Sequence, residues 1–209
     1  MISREKFERL VIIAYRLPFK YVKSKDGYKA LQNTGGLVSA ILALSENFKR
    51  NDSKLVSNKI LWSGFGDNLP DLEKIENEHF EIVPVKIPSR LNEQFYGGFC
   101  NDLIWPLFHY FSTYSVMKNN YYEAYKEANS LFCEEVVKYI KPGDFIWIHD
   151  YHLLLLPEMI RARIPEAIIG FFLHIPFPSS EIFRQLPRPW RRDLMNGMLG
   201  ADLVGFHTH

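Results

Sequence analysis

Two ionisable clusters stand where apolar runs end. Phe145-Ile146-Trp147-Ile148 leads into His149-Asp150-Tyr151-His152, and Ile168-Ile169-Gly170-Phe171-Phe172-Leu173 leads into His174-Ile175-Pro176-Phe177-Pro178. Asp accepts from hydroxyls, and His donates or accepts near neutral pH. A buried strand gains nothing by ending in either, so Asp150 and His174 are expected to face a ligand. Asp150 suits substrate hydroxyls, and it equally suits the N-cap of a following helix. His174 suits a phosphate or carbonyl oxygen; alone, it reads as well as a satisfied core histidine. His149, Asp150 and His152 also suggest zinc by ligand type. Neighbours on a strand point to opposite faces, so His149 and Asp150 are expected not to converge. No metal and no cofactor are expected.

Other residues could join such a site. Arg16, before Leu17-Pro18, could grip a phosphate bidentately or make a surface ion pair. Gly35-Gly36 precedes a helical pattern, where bare backbone and free N–H groups favour a phosphate, although a plain turn has the same composition. Gln94 to Asn101 and Leu103 to Tyr110 are rich in aromatics, among them Tyr96 and Trp105. Such rings pack against sugars or fill a core.

The elements that must position these residues alternate. Strands are expected at Arg9–Tyr15, Lys59–Ser63, Phe80–Ile87, Phe145–Ile148, Ile168–Leu173 and Gly200–Phe206. A hairpin-like excursion surrounds Lys23 to Gly27. Helical spacing appears at Leu37, Ile41, Leu44 and Phe48, across Ser89–Tyr110 with a break at Gly97-Gly98, and over Asn119–Tyr139 and Leu153–Arg163. Helical turns follow at Glu181–Gln185 and Pro189–Gly200. The fold class is α/β, a parallel sheet covered on both faces. Asp150 and His174 then lie at the carboxyl ends of parallel strands, where such sheets bind ligands.

Composition narrows the partners. The chain has 209 residues, 47% hydrophobic and 15% aromatic, with net charge +1. That is enough for one α/β domain and gives no electrostatic case for nucleic acid or a membrane surface. No apolar run reaches a membrane span. Cys100 and Cys133 show neither metal nor disulfide spacing, so a reducing cytoplasm is expected. Ending on a strand followed by His207-Thr208-His209, the chain reads as a fragment.

The order of the motifs says more than any one of them. Arg16-Leu17-Pro18, Gly35-Gly36-Leu37, Trp62-Ser63-Gly64, Phe95-Tyr96-Gly97-Gly98-Phe99-Cys100-Asn101, Leu103-Ile104-Trp105-Pro106, Trp147 to Leu153, Gly170 to Pro178 with Glu181-Ile182-Phe183, and Asp202 to Thr208 follow in turn. This succession resembles the trehalose-6-phosphate synthase family, retaining glucosyltransferases of the two-domain GT-B fold. The resemblance implies that residues 1–209 are the N-terminal, acceptor-binding Rossmann-like domain and that the nucleotide-sugar domain is absent from the chain. It implies glucose transfer from UDP-glucose to glucose 6-phosphate, giving trehalose 6-phosphate and UDP, and an isolated chain without activity. Arg16, Tyr96, Trp105 and Asp150 would bind the acceptor. Gly35, Gly36 and His174 would face the donor, with Asp150 and His174 catalytic. A homo-oligomer is left open. The family usually has Ser-Asn before the arginine, where Ala14-Tyr15 stand here, and it often has a Trp within the polar stretch Ser115 to Tyr122.

Three other readings remain. A sister transferase with a glycerol phosphate or cyclitol phosphate acceptor would differ around Arg16, Tyr96 and Trp105. A non-catalytic sugar-phosphate sensor is disfavoured by intact Arg16, Asp150 and His174. A nucleotide-dependent oxidoreductase is disfavoured by the missing G-x-G-x-x-G after the first strand.

Overall fold

The computed structural model describes residues 7–24, 27–32, 38–41, 43, 60–66, 75–76 and 80–207. Its first strand, β1 (Arg9–Arg16), is buried from Leu10 to Tyr15. Val11, Ile13 and Tyr15 enter one core; Leu10, Ile12 and Ala14 enter a second on the opposite face. A strand apolar on both faces belongs at the centre of a covered parallel sheet. The hairpin strands β2 (Phe19–Ser24) and β3 (Gly27–Gln32) follow and pair antiparallel, apart from the main sheet. Next come β4 (Ile60–Phe65), β5 (Ile75–Glu76), β6 (Phe80–Val85), β7 (Asp144–His149), β8 (Ile168–Leu173) and β9 (Leu203–Phe206).

The main sheet has the order β5-β6-β4-β1-β7-β8-β9. All its pairings are parallel except that of the short edge strand β5. In chain order, the strands from β1 step outward through β4 to β6. The chain then returns to the other side of β1 and continues through β7, β8 and β9. This is the Rossmann strand order, whose direction reverses between β1 and β7, the place where a ligand crevice opens. The expected α/β class and parallel sheet are what the backbone forms.

The helices follow the expected pattern with two differences. Residues 38–41 are helical; Gly35, Gly36, Leu37, Leu44 and Phe48 lie outside the described residues. Helix α1 (Ser89–Asn92) runs without interruption into a wide π-helical segment, Glu93–Ile104, and then α2 (Trp105–Phe108). The expected break at Gly97-Gly98 is absent. A Cβ on Gly98 would stand 2.6 Å from the Tyr121 ring, so that glycine serves close packing against α3 (Asn119–Val136). The second difference is at Leu153–Arg163, where a tight turn, Tyr151–Leu153, precedes α4 (Leu156–Arg163). Pro157 sits in the first turn of α4, where a missing N–H costs nothing. Short helix α5 (Ser180–Phe183) and helix α6 (Arg188–Leu199) complete the set.

An ion pair ties β1 to β7 at the end away from the crevice. Arg9 donates through Nε to Asp144 Oδ1 at 3.0 Å and through Nη2 to Oδ2 at 2.7 Å. The side chains are only 12% and 3% exposed. Asp144→Ala would leave a nearly buried guanidinium with Glu81, 4.0 Å away, as its remaining acidic neighbour among the described residues. Urea unfolding should show a loss of about 3–5 kcal/mol, towards the lower figure because of Glu81. A loss under about 1 kcal/mol would mean that the pair behaves as a surface bridge.

Candidate functional site

A cavity of about 470 Å³ opens at the carboxyl ends of β1 and β7. From β1 it takes Tyr15 and Arg16, from β4 Trp62, and from the helix after Ser89 both Tyr96 and Trp105. The turn after β7 supplies Asp150, Tyr151 and His152.

Arg16 reaches this place because the β1–β4 ladder shifts register between Ile13 and Arg16. Gly64 permits the crossing, since a Cβ there would lie 2.8 Å from the Ala14 carbonyl oxygen. The Trp62 indole donates to the Arg16 carbonyl at 3.2 Å. The Arg16 side chain is exposed. Its Nη2 donates to Tyr96 Oη at 2.8 Å, and its guanidinium carbon lies 5.5 Å from that ring's centroid. Tyr96 is held in turn by a stack. Tyr15 lies parallel to it with centroids 4.4 Å apart, and to the His152 ring at 5.0 Å. The Tyr15 hydroxyl donates to Asn92 Oδ1. Trp105, 42% exposed, stacks on His109 at the rim.

Asp150 has φ 75° and ψ 169°, a conformation that normally belongs to glycine. Its Oδ1 accepts from the backbone N–H of Tyr151 at 2.9 Å and of His174 at 3.2 Å. Asp150 therefore caps the turn after β7, as one sequence reading allowed, while no described residue donates to its Oδ2. Burial raises its pKa to about 6, prevailing over these two hydrogen bonds. At neutral pH it is a carboxylate in a poorly hydrated place.

His149 and Asp150 both line the cavity, as do the neighbours Ala14 and Tyr15, which enter opposite cores. Among the described residues no group of His, Cys, Asp and Glu could hold a metal ion. His174 does not line the cavity directly. Its Nε2 is 3.0 Å from His149 Nδ1, and its backbone N–H binds Asp150. Helix α3 secures the turn from behind. The Tyr125 hydroxyl donates to the Tyr151 carbonyl at 2.8 Å and accepts from Leu154 N–H at 2.9 Å. Asn129 donates to the His152 carbonyl at 3.1 Å.

The structure thus gathers Arg16, Tyr96, Trp105 and Asp150 around one cavity and sets His174 beside it. Gly35 and Gly36 lie outside the described residues. Sequence reasoning did not assign Trp62 or Tyr151 to the site, weighed His149 and His152 only as metal ligands, and noted Tyr15 only as a departure. The available signal was the run His149-Asp150-Tyr151-His152, all four of which line the cavity.

Comparison with known proteins decides the family. Glycosyltransferase family 20 matches residues 8–209. The chain belongs to glycosyltransferase family 20. It is 40% identical over 218 residues to an α,α-trehalose-phosphate synthase (UDP-forming) of Emericella nidulans, covering 99% of this chain and 41% of that protein. It superposes with a TM-score of 0.76 and 27% identity on an α,α-trehalose-phosphate synthase from Burkholderia xenovorans in complex with glucose-6-phosphate, covering 96% of this chain and 40% of the other. An E. coli relative bound with UDP-2-fluoro glucose gives a TM-score of 0.75 at 29% identity, with 96% and 40% covered. The chain spans about two fifths of the length of these relatives. Its fold is that of the N-terminal half of a GT-B glycosyltransferase.

The ionisable groups of the site set an acid response. Burial lowers the pKa of His149 and of His152 to about 3, with the positive neighbour Arg16 adding to the effect on His152, and lowers that of His174 to about 4. The unfolded chain binds protons near pH 6.5 that these folded rings refuse, so their contribution to stability is full above that pH and is lost as pH falls. Asp150 has the opposite sign: folded, it binds a proton between about pH 6 and 4 that the unfolded chain does not, so stability rises on acidification. Three histidines outweigh one carboxylate, and Tm should fall between pH 7 and pH 4. Asp150→Asn keeps a capping residue and removes the opposing contribution, so the fall should steepen. A variant with an equal or shallower slope would show that Asp150 titrates in its ordinary range.

Proposed function

We propose that this chain is the acceptor-binding half of a retaining glucosyltransferase that moves glucose from UDP-glucose to glucose 6-phosphate, releasing UDP and trehalose 6-phosphate. A second domain of the whole enzyme completes the nucleotide-sugar site. The observation that carries the reading is the pairing of Arg16 and Asp150 on one cavity at the switch point of the sheet. A sugar phosphate needs a cation for its phosphate and a fixed acceptor for its hydroxyls. The guanidinium of Arg16 and the free Oδ2 of Asp150 supply these two groups. Tyr96 and Trp105 offer ring faces and polar edges to the sugar between them.

In the reaction the bond from glucose C1 to the diphosphate oxygen breaks and a bond from C1 to the anomeric oxygen of the acceptor forms. The acceptor hydroxyl proton goes to the departing diphosphate on the same face. Asp150 holds the acceptor hydroxyls in line, and His174, neutral at pH 7, donates towards the donor. Gly35 and Gly36 belong to the donor side on this reading. Rate enhancement rests on positioning and on charge stabilisation. A cytoplasmic placement is supported by Cys100 and Cys133, both buried and unpaired. Among the described residues, no helix is long and apolar enough to cross a membrane.

The test is calorimetric titration of the chain with glucose 6-phosphate and with glucose. Arg16→Ala removes a charge-assisted contact worth about 1.5–3 kcal/mol, so glucose 6-phosphate should bind about ten- to a hundredfold more weakly. Binding of unphosphorylated glucose should not change. Equal losses for both ligands would remove Arg16 from the phosphate site.

A further inference from the structure

His149 carries an unmet hydrogen-bonding demand. The residue is 1% exposed. Its Nδ1 is engaged by His174 Nε2 at 3.0 Å, but its Nε2 has no partner among the described residues. It nevertheless lines the cavity beside Asp150. A buried polar atom left unsatisfied is costly, and one next to an open cavity is satisfied when a ligand brings a polar group to it.

Two neutral imidazoles that share one hydrogen bond have two arrangements. In the first, His149 holds its proton on Nδ1 and donates to His174 Nε2. His174 then holds its proton on Nδ1, and His149 Nε2 is a bare acceptor. In the second, His174 Nε2–H donates to His149 Nδ1, the His149 proton sits on Nε2, and His174 Nδ1 is bare. Each ring keeps one proton throughout. The arrangements differ in which outer nitrogen, His174 Nδ1 or His149 Nε2, carries an N–H. The first leaves only an acceptor unmet in the dry position, and for backbone groups an orphaned N–H is the rarer defect. It also places the outer N–H on His174, which is half-buried and within reach of water.

We propose that His149 is a positioning residue that holds His174 as its Nδ1–H tautomer, and that a ligand hydroxyl donating to His149 Nε2 locks this arrangement. Occupation of the acceptor cavity then prepares His174 as a donor to an oxygen of the second substrate. The identity of that hydroxyl rests on the sugar-phosphate reading above. The coupling of the two rings rests on geometry alone, since the proton on one imidazole nitrogen is set by the bond the other makes.

Two-bond ¹H–¹⁵N correlation spectra of the chain, with histidine ¹⁵N-labelled, report which ring nitrogen is protonated. At pH 7 the wild-type chain should show His174 as Nδ1–H. In His149→Phe the partner of Nε2 is gone, and His174 should change to the Nε2–H form that isolated imidazoles prefer. His149→Asn has an amide that donates where Nδ1 stood, and it should restore the Nδ1–H form. A purely structural role for His149 predicts no such reversal and rescue. His174 found as Nε2–H in the wild type, or a tautomer indifferent to both substitutions, overturns the proposal. If His149→Phe fails to fold, the wild-type and Asn spectra decide. Glucose 6-phosphate should move the His149 Nε2 resonance in the direction of an accepted hydrogen bond. Calorimetric binding without that movement overturns the lock. Absence of binding refutes the sugar-phosphate reading instead, and the tautomer comparison stands apart from it.

Discussion

The backbone of Asp150 is the constraint around which the site is organised. A non-glycine residue at φ 75° and ψ 169° costs about 1–3 kcal/mol and persists only where its surroundings determine it several times over. The determinants are on three sides. Asp150 N–H donates to the Phe172 carbonyl at 2.8 Å, which ties the turn to β8. Its own carboxylate accepts from Tyr151 and His174. Behind it, Tyr125 and Asn129, one helical turn apart on α3, hold the carbonyls of Tyr151 and His152. The turn held in this way sets the Asp150 carboxylate on the cavity at the end of β7.

The charges of the cavity follow from where water is excluded. Arg16 is exposed, while Asp150 is half-buried and keeps its charge only above about pH 6. The histidines are kept neutral by burial, so they act through hydrogen bonds at neutral pH. Among the described residues lining the cavity, Asp150 is the single acidic one. Retaining glycosidases place two carboxyl groups about 5–5.5 Å apart. Among its described lining residues the site holds one carboxylate where that arrangement needs two.

Much of this was legible beforehand, for identifiable reasons. Ile146, Ile148, Ile169 and Phe171 are β-branched or aromatic runs buried on the sheet's face, and such runs mark strands without knowledge of tertiary context. Asp150 and His174 were legible because polar residues at the ends of buried strands demand a reason. The unbroken helix through Gly97-Gly98 was not legible, because the function of Gly98 depends on Tyr121, more than twenty positions away, and sequence alone assigns glycine pairs to breaks. The backbone of Asp150 was not legible for a related reason: a positive φ leaves no mark on residue types.

Tyr15 gives Arg16 its surroundings. From β1 it presents a ring that stacks on both Tyr96 and His152 and anchors its hydroxyl on Asn92. The consequence falls on Arg16. A long side chain on a surface loses substantial rotamer freedom when fixed, and a mobile partner would double that cost. Tyr96 is immobilised by the stack, so ordering Arg16 against it means ordering one side chain. On the function proposed, the stack would aid phosphate binding through preorganisation, since a cation already held in place surrenders less freedom when an anion arrives. An exposed guanidinium beside a packed aromatic wall remains hydrated and mobile enough to admit a ligand, yet its reach is fixed by the ring it rests on. On the function proposed, a cation of fixed reach would favour a phosphate at one distance from the Asp150 carboxylate over a phosphate at another.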